Sequence, residues 1–112
     1  MVNKSVITSV RNYLHMLNAQ GMGVIFGVVF GSQVNRKSDQ CSDIDLIVVS
    51  PRFDDMRNRD EINLLWRVAA RVDNRIEPIP CGERQWIEDD SSAIIEIARR
   101  EGEKIDPVDK QH

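Results

Sequence analysis

The sequence has few cysteines and no long apolar run, and these absences exclude several classes of protein. Cys41 and Cys81 are the only cysteines among 112 residues. Neither has a second cysteine or a histidine at metal-ligand spacing, so a zinc site is not expected. No apolar segment is long enough to cross a membrane, and no signal-peptide pattern begins the chain. We therefore expect a cytoplasmic protein with reduced thiols that does not bind a membrane.

An excess of basic residues is also absent. Lys and Arg together number 15 against 18 Asp and Glu, which gives a formal net charge of −3. General nucleic-acid binders usually carry a basic surplus, so we expect nucleic acid only as an acceptor substrate. The length predicts one domain over residues 1–112, with a core at about 5–100 and a frayed tail at 106–112.

One distinctive stretch is present, at residues 24–50. An apolar run ends at Gly31, polar residues follow, and Asp43 and Asp45 then flank Ile44 at the start of a second apolar run. The two runs predict two buried strands joined by a loop. In a strand, side chains at i and i+2 point the same way, so the two carboxylates lie side by side. Such like charges repel unless a cation lies between them, and hard oxygen ligands favour Mg²⁺ or Mn²⁺.

Gly31 and Ser32, at the head of the loop, predict an anion site. A glycine has no Cβ and lets the backbone approach a ligand closely. If Ser32 opens a short helix, its hydroxyl and the first free N–H groups face the anion. A phosphate group would then be held between these donors and the metal.

Gly31-Ser32, ten intervening residues and the segment 43–46 (Asp-Ile-Asp-Leu) resemble the signature of the DNA polymerase beta-type nucleotidyltransferase superfamily. The small size is similar to that of its minimal, antitoxin-like members. The resemblance implies an α/β (α+β) fold with a small mixed sheet of three or more strands flanked by helices. It also implies that Gly31 and Ser32 contact a nucleoside triphosphate, that Asp43 and Asp45 bind two Mg²⁺ ions, and that a third carboxylate lies on a later strand.

The loop departs from the family pattern. Many relatives read Gly-Ser-x-Ala-Arg-Gly, whereas residues 31–36 here are Gly-Ser-Gln-Val-Asn-Arg. The arginine and the second glycine of the pattern are therefore missing. Arg36 and Lys37 are candidates to neutralise phosphate charge instead, although a solvated pair of charges explains them equally well. Together with Ser42 they complete the residues that we assign to nucleotide binding.

The third carboxylate is predicted at Glu77. Residues 75–79 alternate polar and apolar side chains as a short strand does, and Pro78 confines that strand to an edge or an end of the sheet. Glu77 follows the second strand after a helix-length crossover, which suits the third metal ligand of the resembling family. Asp73 is the second candidate for this ligand, because in a strand its side chain would point to the same face as that of Glu77. The alternative explanation of Glu77 is an exposed glutamate on an edge strand.

The remaining segments predict helices that cover the sheet. Apolar residues at helical spacing predict helices over residues 5–20, about 57–72 and 91–100, with a helical turn at 83–88 and a loop at 52–60. Trp66 lies within the apolar stripe of the second helix. We interpret it as a core anchor, with a base-stacking platform as the alternative.

Three functions are compatible with these patterns. The first, which we expect, is a metal-dependent nucleotidyltransferase that moves a nucleoside monophosphate from a triphosphate, with ATP as the expected donor, to an acceptor hydroxyl. The second is an antitoxin-like protein of the same fold that acts by binding a small helical HEPN-type partner, as in toxin–antitoxin pairs. The third is a non-catalytic carboxylate cluster on an ordinary α/β domain. We also expect the chain to form an oligomer.

Overall fold

The apolar segments of the chain form the strands and the sheet-covering helices of an α+β fold. The computed structural model describes residues 4–31, 43–55, 59–88 and 92–107. The helices are α1 Lys4–Ala19, α2 Arg59–Val72, α3 Glu83–Glu88 and α4 Ala93–Glu101, with a 3-10 helix at Pro51–Asp55. The strands are β1 Phe26–Phe30, β2 Ile44–Val49, β3 Ile76–Cys81 and β4 Glu103–Ile105.

The four strands of the described residues form one mixed sheet in the order β3-β2-β1-β4. β1 is antiparallel to both β2 and β4, whereas β2 and β3 are parallel. A parallel pair needs a long crossover connection, and α2 supplies it. β3 is an edge strand, which confirms the prediction made from its proline. The predicted fold class is confirmed.

α1 and α2 cover one face of the sheet. Leu14 and Leu17 of α1 are fully buried, in one cluster with Leu65 of α2 and Leu46 of β2. The Tyr13 hydroxyl donates a hydrogen bond of 2.9 Å to the Leu65 carbonyl and so joins the two helices. Burial raises the pKa of Tyr13, so its proton stays in place to make that bond.

α3 and α4 pack against the other face. Ile95 and Ala98 of α4 are buried against Phe26 and Val28 of β1. Trp86 of α3 meets the Phe26 ring edge-on, with ring centroids 5.6 Å apart. The sheet therefore has a core on both of its faces.

Several boundaries differ from the predictions. Residues 51–55 form a 3-10 helix where a loop was predicted, because Pro51 fixes the φ angle that begins such a turn. α4 begins at Ala93, two residues after the predicted start at residue 91, and the side chain of Ser92 caps it. The strand at residues 103–105 was not predicted, because three residues are too short to show a period.

The prediction that Trp66 anchors the core is wrong. The buried positions of α2 are Leu65, Val68 and Ala69, so the buried stripe runs beside Trp66 without including it. Successive helical residues point about 100° apart, so the residue after Leu65 faces away from the sheet. Within the described ranges, no helix is both long and apolar enough to cross a lipid bilayer.

Candidate functional site

Strand register brings Asp45 and Glu77 side by side. Phe30 of β1 pairs with Asp45 of β2, and Asp45 pairs with Glu77 of β3. Because paired residues of adjacent strands lie on the same face, the two carboxylates belong to one row across the sheet. The next rows on that face contain apolar residues that pack under α3 and α4. The carboxylates thus lie where the apolar part of this face ends.

Asp43 joins the same group from the residue that precedes β2. Its side chain forms a hydrogen bond with Glu77, and this bond is the largest cause of a raised Glu77 pKa. Burial and the negative charges of Asp43 and Asp45 raise that pKa further. Two carboxylates can share a hydrogen bond only if one of them carries a proton. This arrangement therefore favours the neutral form of Glu77 more than solvent does.

Asp45 is the more enclosed of the two aspartates. Burial is the main cause of its raised pKa, and the charge of Asp43 adds to the shift. Asp43, Asp45 and Glu77, hereafter the carboxylate cluster, thus interact with one another. The structure brings together the three carboxylates that the sequence singled out, on one side of the sheet.

Gly31 lies directly against the carboxylate cluster. Its φ of +80° is in the left-handed region, where a side chain is disfavoured. A Cβ on Gly31 would lie 2.6 Å from Oδ2 of Asp45, which is closer than any real contact. Sequence reasoning assigned Gly31 to the nucleotide, and the contact with Asp45 was missed. The one sequence signal for this contact was a glycine at the end of a strand, where another group often approaches the backbone closely.

Asp73 does not belong to the carboxylate cluster. It lies in the turn between α2 and β3, not on the strand. Its Oδ2 is 2.6 Å from Nη2 of Arg75, and its Oδ1 accepts a bond of 3.0 Å from the Arg75 backbone N–H. The hydrogen bonds from Arg75 hold the pKa of Asp73 below its ordinary value. This carboxylate already has a cation beside it and is a poor substitute for Glu77.

Four assigned residues cannot be placed. Ser32, Arg36, Lys37 and Ser42 lie outside the described residues. Their assignment to nucleotide binding, and the helical turn predicted after Ser32, stay predictions. Gly31 marks the point on the described chain at which that segment begins.

The donor set of the carboxylate cluster suits a hard divalent cation. All of its side-chain donors are carboxylate oxygens, which Mg²⁺ and Mn²⁺ prefer. The raised pKa values of Asp45 and Glu77 reflect in part a repulsion that a cation would relieve. As placed, the described residues contain no group of three or more His, Cys, Asp or Glu side chains arranged to hold a metal ion. Metal binding would therefore require these side chains to rearrange.

Comparison with solved structures finds a related fold. The chain is similar to the crystal structure of a candidate nucleotidyltransferase from Sulfolobus solfataricus, with a TM-score of 0.54 and 16% sequence identity. The match covers 70% of this chain and 68% of the other. No protein-family model matches the sequence, and no curated protein matches it at a significant level. At this identity the likeness concerns the fold.

Proposed function

We propose that this protein is a nucleotidyltransferase that moves a nucleoside monophosphate from a nucleoside triphosphate to an acceptor hydroxyl. The observation that carries the proposal is the row made by Asp45 and Glu77, with Asp43 bonded to Glu77 and Gly31 in contact with Asp45. Nucleotidyl transfer needs charge neutralisation and in-line positioning more than it needs a covalent group from the protein. A carboxylate cluster beside a glycine-led loop supplies both requirements.

Asp43, Asp45 and Glu77 would hold the divalent cations. Two such ions, when bound, neutralise the charge that develops on the attacking and leaving oxygens. Gly31 gives the loop a close approach to the same point, so the triphosphate would lie between the loop donors and the carboxylates. The proposed contacts to the triphosphate come from Arg36, Lys37, Ser32 and Ser42. ATP is the expected donor of the nucleoside monophosphate.

Glu77 has a second role in this proposal. As the ligand of the ion nearest the acceptor, it would also be placed to act as the general base. It lies on the edge strand β3, on the side of the cluster away from β1. We assign it to the acceptor side, where it accepts the proton of the attacking hydroxyl.

The direct test compares transfer by Asp43→Asn, Asp45→Asn and the wild type. Each variant keeps the size of the side chain but removes the charge that binds the cation. We expect labelled monophosphate transfer from a Mg²⁺ triphosphate to fall at least about a hundredfold, with an unchanged circular dichroism spectrum. Glu96→Gln on α4, an exposed carboxylate outside the cluster, is the matched control. Wild-type transfer by Asp45→Asn would exclude the catalytic assignment.

A second function deserves its own test because the loop lacks the arginine and second glycine of the family pattern. In this alternative the protein has lost transfer and acts by binding a small helical partner of the HEPN type. Such a protein would show no measurable affinity for a Mg²⁺ triphosphate. Titration calorimetry on the wild type separates the two functions, since the enzyme must bind the triphosphate that it uses.

A further inference from the structure

The exposed side of α2 carries an aromatic ring that folding does not explain. Trp66 is 49% exposed, although a tryptophan gains more from burial than almost any other side chain. Asn63, one helical turn before Trp66, and Arg67, the residue after it, line the same open space of about 440 Å³. Asp60 lines the far end of this space. An aromatic ring, an amide and a guanidinium group thus border one recess.

A second space shares Arg67 with the first. This groove of about 200 Å³ is lined by Leu64, Arg67, Val68 and Arg71 of α2 and by Gln20, just after α1. Because residues four apart lie on one side of a helix, Arg67 and Arg71 are about 6 Å apart along the axis. Within the described parts of the chain, neither of these exposed arginines forms an ion pair. Two guanidinium groups are therefore available to an anionic ligand.

These side chains suit the parts of a nucleotide unit. Guanidinium groups bind phosphate through short, charge-assisted hydrogen bonds. A tryptophan ring stacks on the flat face of a nucleobase, and the Asn63 amide has donors and an acceptor for the edge of the base. Asp60 lies seven residues before Arg67, about 10 Å along the helix axis, so its charge is away from the positions suited to phosphate. Asn63, Trp66, Arg67 and Arg71 are hereafter the α2 platform.

We propose that the α2 platform binds a single-stranded nucleic acid, with one base stacked on Trp66 and neighbouring phosphates on Arg67 and Arg71. A site for a free nucleotide encloses most of its ligand, whereas this space leaves about half of the Trp66 side chain open to solvent. An open aromatic surface beside positive charge is typical of proteins that bind single strands. A duplex keeps its bases stacked on one another and does not offer one to the ring.

Other occupants fit the platform less well. The core of a protein–protein interface is apolar, whereas Trp66 is the only large apolar side chain exposed among the described side chains of α2. A phosphotyrosyl peptide brings a ring and a phosphate but no hydrogen-bonding edge for Asn63. The formal net charge of −3 argues against binding over the whole surface, but one base and two phosphates need only these local residues. Binding through so few contacts is weak and falls as salt rises.

The α2 platform is separate from the carboxylate cluster. α2 packs on one face of the sheet, and the apolar rows beside the carboxylates belong to the other face. The proposal therefore does not depend on the transfer activity, and its test uses neither metal nor triphosphate. Asp45→Asn, which should abolish transfer, should bind the strand as the wild type does.

Fluorescence anisotropy tests the stacked base. The full chain is titrated, in chelator and at low salt, into a labelled single strand of mixed sequence and about 12 nucleotides. Trp66→Ala should weaken binding at least about tenfold, whereas Trp66→Phe keeps an aromatic ring and should retain most of the affinity. Ile87→Ala is the matched control, because it shortens another exposed apolar side chain, on α3, and should leave the affinity unchanged.

The salt dependence of the same titration tests the phosphate contacts. Arg67→Gln and Arg71→Gln should each weaken binding and reduce the slope of log affinity against log salt by about 0.7, because each removes one phosphate contact. Arg100→Gln, which changes an exposed arginine on α4, should alter neither quantity. All the substituted side chains outside the carboxylate cluster are exposed, and circular dichroism verifies that each variant is folded.

Four results would overturn the proposal. The first is a wild type that does not bind the strand at low salt. The second is an affinity that neither Trp66→Ala nor Arg71→Gln changes, since the strand would then bind elsewhere. The others are equal affinity for free AMP and tighter binding of a phosphotyrosyl peptide than of the strand, because each would assign the platform to a different ligand.

Discussion

Gly31 and Asp45 occupy adjoining space, because a Cβ on Gly31 would overlap Oδ2 of Asp45 at 2.6 Å. The glycine thus leaves room for a carboxylate on the neighbouring strand and adopts a backbone conformation that disfavours a side chain. A residue at this position acts on the cluster through packing, before any ligand is bound.

Gly31→Ala should lower both stability and transfer. The positive φ costs an alanine roughly 1 kcal/mol, and the overlap additionally displaces the Asp45 carboxylate. Gly21→Ala is the matched control, because Gly21 has a φ of +82° and nothing within 4 Å of its Cβ position. We expect similar backbone costs in urea unfolding but loss of transfer only in Gly31→Ala. Equal transfer by the two variants would show that the contact with Asp45 has no functional role.

Glu77→Gln should stabilise the metal-free protein at neutral pH. The folded pKa of Glu77 is raised, so its contribution to stability is present at acidic pH and is lost as pH rises through that raised value. Glutamine is neutral at every pH and can donate to Asp43 throughout. The melting temperature of the variant in chelator should exceed that of the wild type at pH 7 and converge with it in acid. Glu88→Gln, an exposed change at the end of α3, should show no such convergence.

Asp73→Asn should lower stability without altering transfer. The carboxylate bonds to both the backbone and the guanidinium of Arg75, and hydrogen bonds to charged groups contribute about 1.5–3 kcal/mol. Its pKa is lowered, so this contribution is present above the ordinary carboxylate pKa and is lost as pH falls through the lowered value. Urea unfolding at pH 7 measures the loss. Glu96→Gln, which breaks an exposed pair with Arg100 at 3.9 Å, should cost only about 0–1 kcal/mol.

Arg36→Glu should weaken binding of a Mg²⁺ triphosphate far more than it changes stability. A charged side chain that contacts phosphate commonly contributes about 1.5–3 kcal/mol, whereas a solvated arginine contributes little. Isothermal titration of the wild type and the variant measures the difference. Equal affinities would mean that the loop makes no such contact, and the partner-binding function would then gain support.

The sequence was sufficient to place the carboxylate cluster in space. The spacing of Asp43 and Asp45 put them on one side of a strand. The alternation around Glu77 predicted a further strand, and the family resemblance implied that its carboxylate joins the two aspartates. These inferences succeeded because strand parity is a local property that tertiary packing rarely changes. The hydrogen bond between Asp43 and Glu77 could not be predicted, since it depends on side chains that meet across two strands.

The orientation of α2 was not predictable to the residue. Its sequence contains apolar residues on two adjacent sides, and a stripe through Trp66 appeared as regular as the one through Val68. Only packing against α1 and the sheet selects between them. The strand β4 could not be predicted for a similar reason. Its three residues show no hydrophobic period, and they form a strand by pairing with β1.

The prolines of β3 determine how this sheet can meet other chains. The Arg75 carbonyl accepts a hydrogen bond from Ile44 of β2, and the Cys81 carbonyl accepts one from Ser50, the residue after β2, so the alternate residues of β3 direct their backbone groups outward. Pro78 and Pro80 are two of those alternate residues, and neither has an N–H to offer. A strand added at this edge would lack two backbone N–H donors from β3. At the opposite edge, β4 is only three residues long. Among the described strands, these two edges therefore disfavour edge-to-edge pairing with another chain.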